Sequence, residues 1–284
     1  MSDPDRSLSA PAWRIDTDAL HRALATGFAH AWTVEVVEST GSTNADLTLA
    51  CRTADWSDDA CLVRVAYRQT AGRGRLGRPW QGQAGLTFSV AMPLALAPAN
   101  LSGLSLAVGL ALSEALEDVD AALGARVGLK WPNDLQIDGR KLAGILIEVV
   151  PAGPQRVWAV IGIGLNLVRD ADMEAALGRD LAGVAEAMNA FDPQSDPTRI
   201  LAAIANRLAR MRTEFLVDGF GPMAPRWSAR DAFRDEPVRL LHDGAVQAEG
   251  LARGVDAEGH LLLETPEGIQ RIASGEVSLR GAKA

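Results

Sequence analysis

Apolar positions along the chain change spacing several times, and each spacing predicts an element. DTDALHRALATGF (residues 16–28) reads as a short helix with Asp16 near its start. WTVEVVEST (32–40) alternates and is β-branched, which predicts a strand. In GSTNADLTLACRT (41–53), Ser42 or Thr43 can cap a helix whose first turn carries Asp46, a favourable charge at that end of the helix dipole. ACLVRVAYRQT (60–70) and GLTFSVAMPL (85–94) predict two more strands.

From residue 100 the period becomes helical. Leu101, Leu104, Val108, Leu112 and Leu116 recur at steps of three and four, so residues 100–124 predict one long helix with Gly124 near its end. RVGLKWPNDLQI (126–137) is extended, with Pro132 keeping Trp131 out of helical geometry. Asp138-Gly139 is a hairpin signal, RKLAGILIEVV (140–150) is the return strand, and QRVWAVIGIGLNLV (155–168) comes back after PAGP. The three segments predict an antiparallel meander. Residues 170–235 read as helical, most clearly over 197–220. Residues 235–280 carry short runs between turns at Asp243-Gly244, Glu258-Gly259 and Glu267-Gly268, a pattern expected of a small barrel. A boundary falls near 234–237, after an N-terminal tail and short helix over 1–32.

Composition narrows the function. The chain has 284 residues, 48% of them apolar, enough for a real core. Its formal charge of −8 excludes a general polyanion binder and argues against operator DNA as a partner. Cys51 and Cys61 lack the spacing of a metal clip, and two thiols form no disulfide framework, so a reducing, cytoplasmic setting is expected. His21, His30, His242 and His260 are scattered, which gives no zinc site and leaves the ligands of any metal unknown. The apolar run at 101–112 is far short of the ~20 residues that span a bilayer, so no membrane association is expected.

Against that acidic background, QTAGRGRLGRPW (69–80) stands out, with Arg73, Arg75 and Arg78 inside six residues. Gly72, Gly74 and Gly77 satisfy G-x-G-x-x-G, but no helix follows and no acidic residue ends a second parallel strand, so the dinucleotide reading fails. A phosphate loop fails as well, because no Gly-Lys-Ser or Gly-Lys-Thr closes it. Glycines that let the backbone bend and approach a ligand, alternating with planar permanent cations, still make a local device for a carboxylate or a phosphate. The bland alternative is a surface loop paired with surplus acids. Lys130 and Lys141 flank the Asp138-Gly139 turn, and Lys141 enters an apolar strand, where a buried cation needs an anionic partner. Asn133 and Asp134 place an amide and a carboxylate beside it; Gly162 and Gly164 offer bare backbone ahead of Asn166.

STN (42–44), QTAGRGRLGRPW (69–80), KWPNDL (130–135), KLAGILIE (141–148) and GIGLNL (162–167) occur in that order. Together they resemble the motif series of the biotin protein ligases, also called biotin–[acetyl-CoA-carboxylase] ligases, over roughly residues 33–280. The resemblance implies an α+β catalytic domain over 33–235, with a mixed, largely antiparallel sheet packed with helices in the manner of class II synthetases. It implies an SH3-like β-barrel over 236–284. Biotin and Mg²⁺-ATP would give biotinyl-5′-AMP and pyrophosphate, and the biotinyl group would pass to a lysine of a biotin carboxyl carrier protein domain of a biotin-dependent carboxylase. A homodimer is possible on an exposed sheet edge. Only about 32 residues precede the first strand, too few for the family's winged-helix repressor domain, so the expectation is the form without it.

Carried over residue by residue, Ser42, Thr43, Asn44 and Gln69 would hold the ureido head of biotin. Gly72, Arg73, Gly74 and Arg75 would close over its carboxyl group and the adenylate phosphate, with Lys141 at the same junction. Gly144, Gly162 and Gly164 would leave room for the biotin chain. Arg75, Arg78, Trp80, Lys130, Asn133, Asn166 and Arg280 would serve ATP, and Asp134 would sit near the acceptor amine. Leu76 stands where many relatives have Arg, one phosphate-side charge fewer. The rival within the fold is lipoate or octanoate transfer, and a rival from another class is an RNA-binding module. The latter would interleave aromatics with the arginines, whereas this loop has only Trp80.

Overall fold

The computed structural model describes residues 13–281 except 26–30, 54, 56, 81–84, 179, 243–244 and 274–276. The N-terminal tail and the Asp243-Gly244 turn lie outside the described residues.

Seven strands form the larger sheet: β1 (Ala31–Val37), β2 (Ala60–Ala66), β3 (Gly85–Leu94), β4 (Val127–Lys130), β5 (Asp134–Ile137), β6 (Arg140–Pro151) and β7 (Val157–Asn166). Their order is β1-β2-β3-β7-β6-β5-β4. Only β1 and β2 run parallel; every other pair is antiparallel, so the sheet is mixed and largely antiparallel as expected. The β1–β2 pair is parallel because α2 (Thr43–Thr53) carries the chain back between them.

Every residue of β3 is buried, which requires cover on both faces. Over one face lie α3 (Leu104–Val119) and α6 (Asp196–Asp218), packed on each other, with α1 (Thr17–Ala25) against α6; the short α5 (Ala171–Leu177) follows β7. Val90, Met92, Ala159 and Ile161 point into that larger core. The intervening positions Ala91, Trp158 and Val160 face α2, whose Leu47 and Cys51 complete a second, smaller cluster. The period-2 alternation of the strands therefore sorts residues between two helical layers. Thr87, Ser89, Gly162 and Gly164 share parity with the α2-facing set, and this is the face on which the cleft forms.

Three expectations need correcting. The long helix over 100–124 is two helices, α3 and α4 (Ala121–Arg126), because the extended Asp120 interrupts it and its side chain accepts from Leu123 N to start the second. The extended run 126–137 is a hairpin: β4 and β5 pair antiparallel across a turn at 131–133, so the meander has four strands. The C-terminal barrel is not closed. β8 (Pro237–His242), β9 (Ala245–Val255), β10 (Leu261–Thr265), β11 (Gly268–Ile272) and β12 (Val277–Gly281) form a sheet in the order β11-β10-β9-β8-β12. The long β9 pairs with β8 over 245–251 and with β10 over 251–255. The outer strands β11 and β12 remain edges among the described residues. Turn spacing in the sequence reports hairpins, which are local, whereas closure requires two distant edges to pair.

The second sheet is held against the first at the β4–β5 turn. Trp131, 1% exposed, donates through Nε1 to Gly259 O at 3.2 Å, and Ser102 Oγ donates to Glu258 O at 2.6 Å. Gly259 has φ +79, and a Cβ on it would lie 2.8 Å from Gly103 Cα, so this contact requires glycine. The same docking brings Arg280 of β12 to the rim of the cleft. No helix among the described residues is long and apolar enough to cross a membrane.

Candidate active site

The cleft opens on the α2 face of the sheet and encloses about 970 Å³, its open mouth included. Its floor is glycine. Gly144 of β6 and Gly164 of β7 are register partners, and Gly162 lies opposite Ser89 and Leu146. Side chains already use the space these glycines leave. A Cβ on Gly164 would lie 2.1 Å from two atoms of the Trp80 ring, and one on Gly162 would lie 2.4 Å from Asn44 Oδ1.

Trp80 is the last described residue of the arginine-glycine segment, which folds into a tied flap. Gly74 N donates to Arg78 O at 2.7 Å and Trp80 N to Gly72 O at 2.9 Å. Leu76 and Gly77 turn the tip with positive φ of 58° and 67°. Gly72 is needed where the two arms meet, since a Cβ there would lie 2.7 Å from Trp80 O. The flap directs Arg73, Gly74, Arg75, Arg78 and Trp80 at the cleft. The buried Trp80 Nε1 has no acceptor among the described residues.

Facing the flap, Lys141 Nζ pairs with Asp134 Oδ1 across β5 and β6, both side chains mostly buried. Lys141 Nζ also lies 5.5 Å from the Trp80 ring centroid. Arg75 Nη1 donates to Asn133 Oδ1 at 3.2 Å, while Asn133 Nδ2 donates to Ile145 O at 2.8 Å. Burial pulls the Arg75 guanidinium below its ordinary value; Asp134 works against that shift and Arg78 adds to it.

At the other end, Ser42 starts α2, with Ala45 N donating to its Oγ at 3.4 Å. Thr43 N donates to Gln69 Oε1 at 2.8 Å, and Asn44 Nδ2 donates to Glu148 Oε2 at 2.8 Å. Lys130, its Nζ 5.6 Å from the Phe233 ring centroid, and Arg280 complete the rim.

The structure thus gathers Ser42, Thr43, Asn44, Gln69, Arg73, Gly74, Arg75, Arg78, Trp80, Lys130, Asn133, Asp134, Lys141, Gly144, Gly162, Gly164 and Arg280 around one cavity. Gly72 and Asn166 are outside its lining. Gly72 joins the flap arms, and Asn166 Nδ2 donates to Lys141 O at 3.1 Å, bracing that lysine's backbone rather than facing the space. Sequence reasoning passed over Ser89 and Glu148, which hold Asn44 from behind. The signal was there: Thr87 and Ser89 are the polar pair in GLTFSVAMPL, and Glu148 is the one acid in an apolar strand.

Residues 36–166 match the Biotin/lipoate A/B protein ligase family, and residues 235–280 match the Biotin protein ligase C terminal domain. The biotin–[acetyl-CoA-carboxylase] ligase of Mycobacterium tuberculosis is 35% identical over 284 residues, with 98% of each chain covered. The chain belongs to the biotin protein ligase family. It is an ATP-dependent biotin ligase, forming biotinyl-5′-AMP and biotinylating a carrier-protein lysine. The bifunctional ligase/repressor BirA of Salmonella typhimurium is 34% identical over 279 residues, covering 98% of this ligase and 82% of BirA. Among solved structures, the biotin protein ligase from Aquifex aeolicus in complex with biotin and ATP superposes with a TM-score of 0.71 at 29% identity, over 90% of this chain and all of that one.

Proposed function

We propose that this cleft carries both half-reactions and that its residues divide by charge. The uncharged end, Ser42, Thr43, Asn44 and Gln69, takes the ureido head of biotin. The cationic end, Arg73, Arg75 and Lys141, takes the junction where the biotin carboxylate attacks the α-phosphate of ATP and pyrophosphate leaves. Two anions must meet there, and cations already fixed in a partly dry site lower that barrier without reorganising. Trp80, Arg78, Lys130, Asn133 and Arg280 surround the nucleotide side; Asn166 serves it indirectly by holding Lys141. The observation that supports this reading most strongly is the meeting of flap and hairpin, with Arg75 bonded to Asn133 one residue from the Asp134–Lys141 pair.

In the second step the acceptor lysine attacks the acyl carbon, AMP leaves, and the amine loses a proton that Asp134 is placed to accept. The anionic intermediate would draw Lys141 toward itself and release Asp134 for that role. Mg²⁺ would arrive with ATP. Among the described residues the cleft lining has one carboxylate, Asp134, which fits an ion held mainly by the nucleotide's own phosphates. The Asp256, Glu258 and His260 cluster is not in that lining, and Arg271 already bonds to Asp256 and Glu258. Bound Mg²⁺ would supply charge neutralisation on the leaving pyrophosphate. The acceptor is a biotin carboxyl carrier protein domain, the setting is cytoplasmic where ATP is abundant, and the acidic balance favours no operator-binding role. Residues 33–235 are read as the catalytic unit and 236–284 as an appended one, supported by two sheets that share no strand.

Pyrophosphate release tests this directly. With ATP and biotin, release is expected to depend on biotin and to continue when carrier domain is added; lipoate or octanoate in its place should give at most about 1% of the rate. Equal release with lipoate would move the assignment to the other branch of the fold.

A further inference from the structure

Behind the cleft lining runs a chain of hydrogen bonds ending in a carboxylate. Asn44 Nδ2 donates to Glu148 Oε2 at 2.8 Å and, more weakly, to Leu146 O at 3.4 Å. Ser89 Oγ, fully buried, donates to Asn44 Oδ1 at 2.6 Å. Thr43 Oγ1 lies 2.7 Å from Ser89 Oγ and 3.2 Å from Gln69 Oε1. An ionised carboxylate only accepts, so the Asn44 amide must turn its nitrogen to Glu148 and its oxygen to Ser89. Ser89 then spends its one proton on Asn44, and the Thr43 proton goes toward Ser89 and Gln69. What remains to Thr43 Oγ1, at the cavity wall, is acceptance.

We propose that Glu148 is a positioning residue for biotin recognition: its charge fixes the direction of the Asn44–Ser89–Thr43 chain so that the wall presents an accepting oxygen to an N–H donor of the ureido ring. This rests on the reading of that end of the cleft as the biotin-head pocket. A second contact gives Glu148 a hold on the flap, with Arg73 Nη2 3.8 Å from its other oxygen. Lined up this way, one carboxylate outside the cavity lining touches both the ureido end and the carboxyl end of the cleft. Glu148 is on β6 opposite Val160, a strand position fixed by pairing, so its reach does not depend on loop movement.

The test measures initial rates of pyrophosphate release in E148Q and E148A against the parent enzyme, varying biotin and ATP separately. Glutamine keeps an accepting oxygen but also brings a donor, so the chain loses its enforced direction. KM for biotin is expected to rise about fivefold in E148Q and about 30-fold in E148A, with KM for ATP within twofold. A merely structural loss would move both KM values together. The parent's preference for biotin over the better discriminated of its two ureido N-methyl derivatives should also fall at least threefold in each variant, because the accepting wall is no longer fixed. Biotin KM within twofold of the parent in E148Q, with that preference intact, overturns the proposal even if E148A fails to fold, and continued biotin-dependent release then leaves the ligase reading standing. No biotin-dependent release from the parent overturns both.

Discussion

Lys141→Ala is expected to lower kcat/KM for biotin-dependent pyrophosphate release by about 10²- to 10³-fold, or about 2.7–4 kcal/mol of transition-state stabilisation. Two effects add. In the proposed mechanism the cation that faces the forming acyl-phosphate bond is removed, and Asp134, 20% exposed and paired with Lys141 in this structure, is left as an uncompensated anion beside incoming phosphates. The two can be separated by adding Asp134→Asn. If repulsion by Asp134 were the whole effect, the double variant would return to the level of Asp134→Asn alone; it is instead expected to recover no more than about tenfold, because the missing positive charge is not restored. Lys141→Arg keeps the charge but not the fit. A Cβ on Gly144 would already lie 3.0 Å from Lys141 Nζ, so a broader guanidinium has little room.

Gly164→Ala should be nearly as damaging by a different route. The new methyl would sit 2.1 Å from the Trp80 ring, and β7 cannot yield because Gly164 is paired with Gly144 on one side and Thr87 on the other. The ring must move, and it carries the flap with it through the Trp80 N–Gly72 O bond. Displacing Arg73 and Arg75 by about an ångström is expected to cost about 10²-fold in kcat/KM. Thermal unfolding should shift by only a few degrees, since what moves is a flap and not the core. Activity near the parent's in this variant, with its fold intact, would show that the flap's seat on the glycine floor is irrelevant to the chemistry.

These two residues also show how far sequence reading reaches. Lys141 was legible because its problem is local: a cation entering an apolar strand needs an anion, and Asp134 on the neighbouring strand supplies one. The flap's capacity to bend and its cations could be read from the alternation of glycine and arginine, but a surface loop paired with surplus acids stayed open until the neighbouring motifs were added. The family resemblance implies room at the floor glycines, but the occupants of that room, Asn44 over Gly162 and the Trp80 ring over Gly164, depend on how α2 and the flap pack on the sheet, which no local pattern encodes. Asn166 could not be placed for the same reason, because its partner is a backbone carbonyl, Lys141 O, that every residue possesses. The β4–β5 hairpin was hidden because its turn, Trp131-Pro132-Asn133, lies inside an extended-looking run with no Gly signal. The second sheet's hairpins were visible, but its open edge was not.

In the proposed mechanism Arg73, Arg75 and Lys141 converge on the acyl-phosphate junction. The most direct measurement is a crystal structure with a biotinyl-adenylate analogue whose phosphate is replaced by a sulfamate. The ureido ring is expected against Thr43 and Asn44, and the sulfamate within about 3 Å of Lys141 Nζ and of the Arg73 or Arg75 guanidinium, with Lys141 drawn off Asp134. An analogue bound with its sulfamate out of reach of all three cations, while Lys141 stays on Asp134, would contradict it.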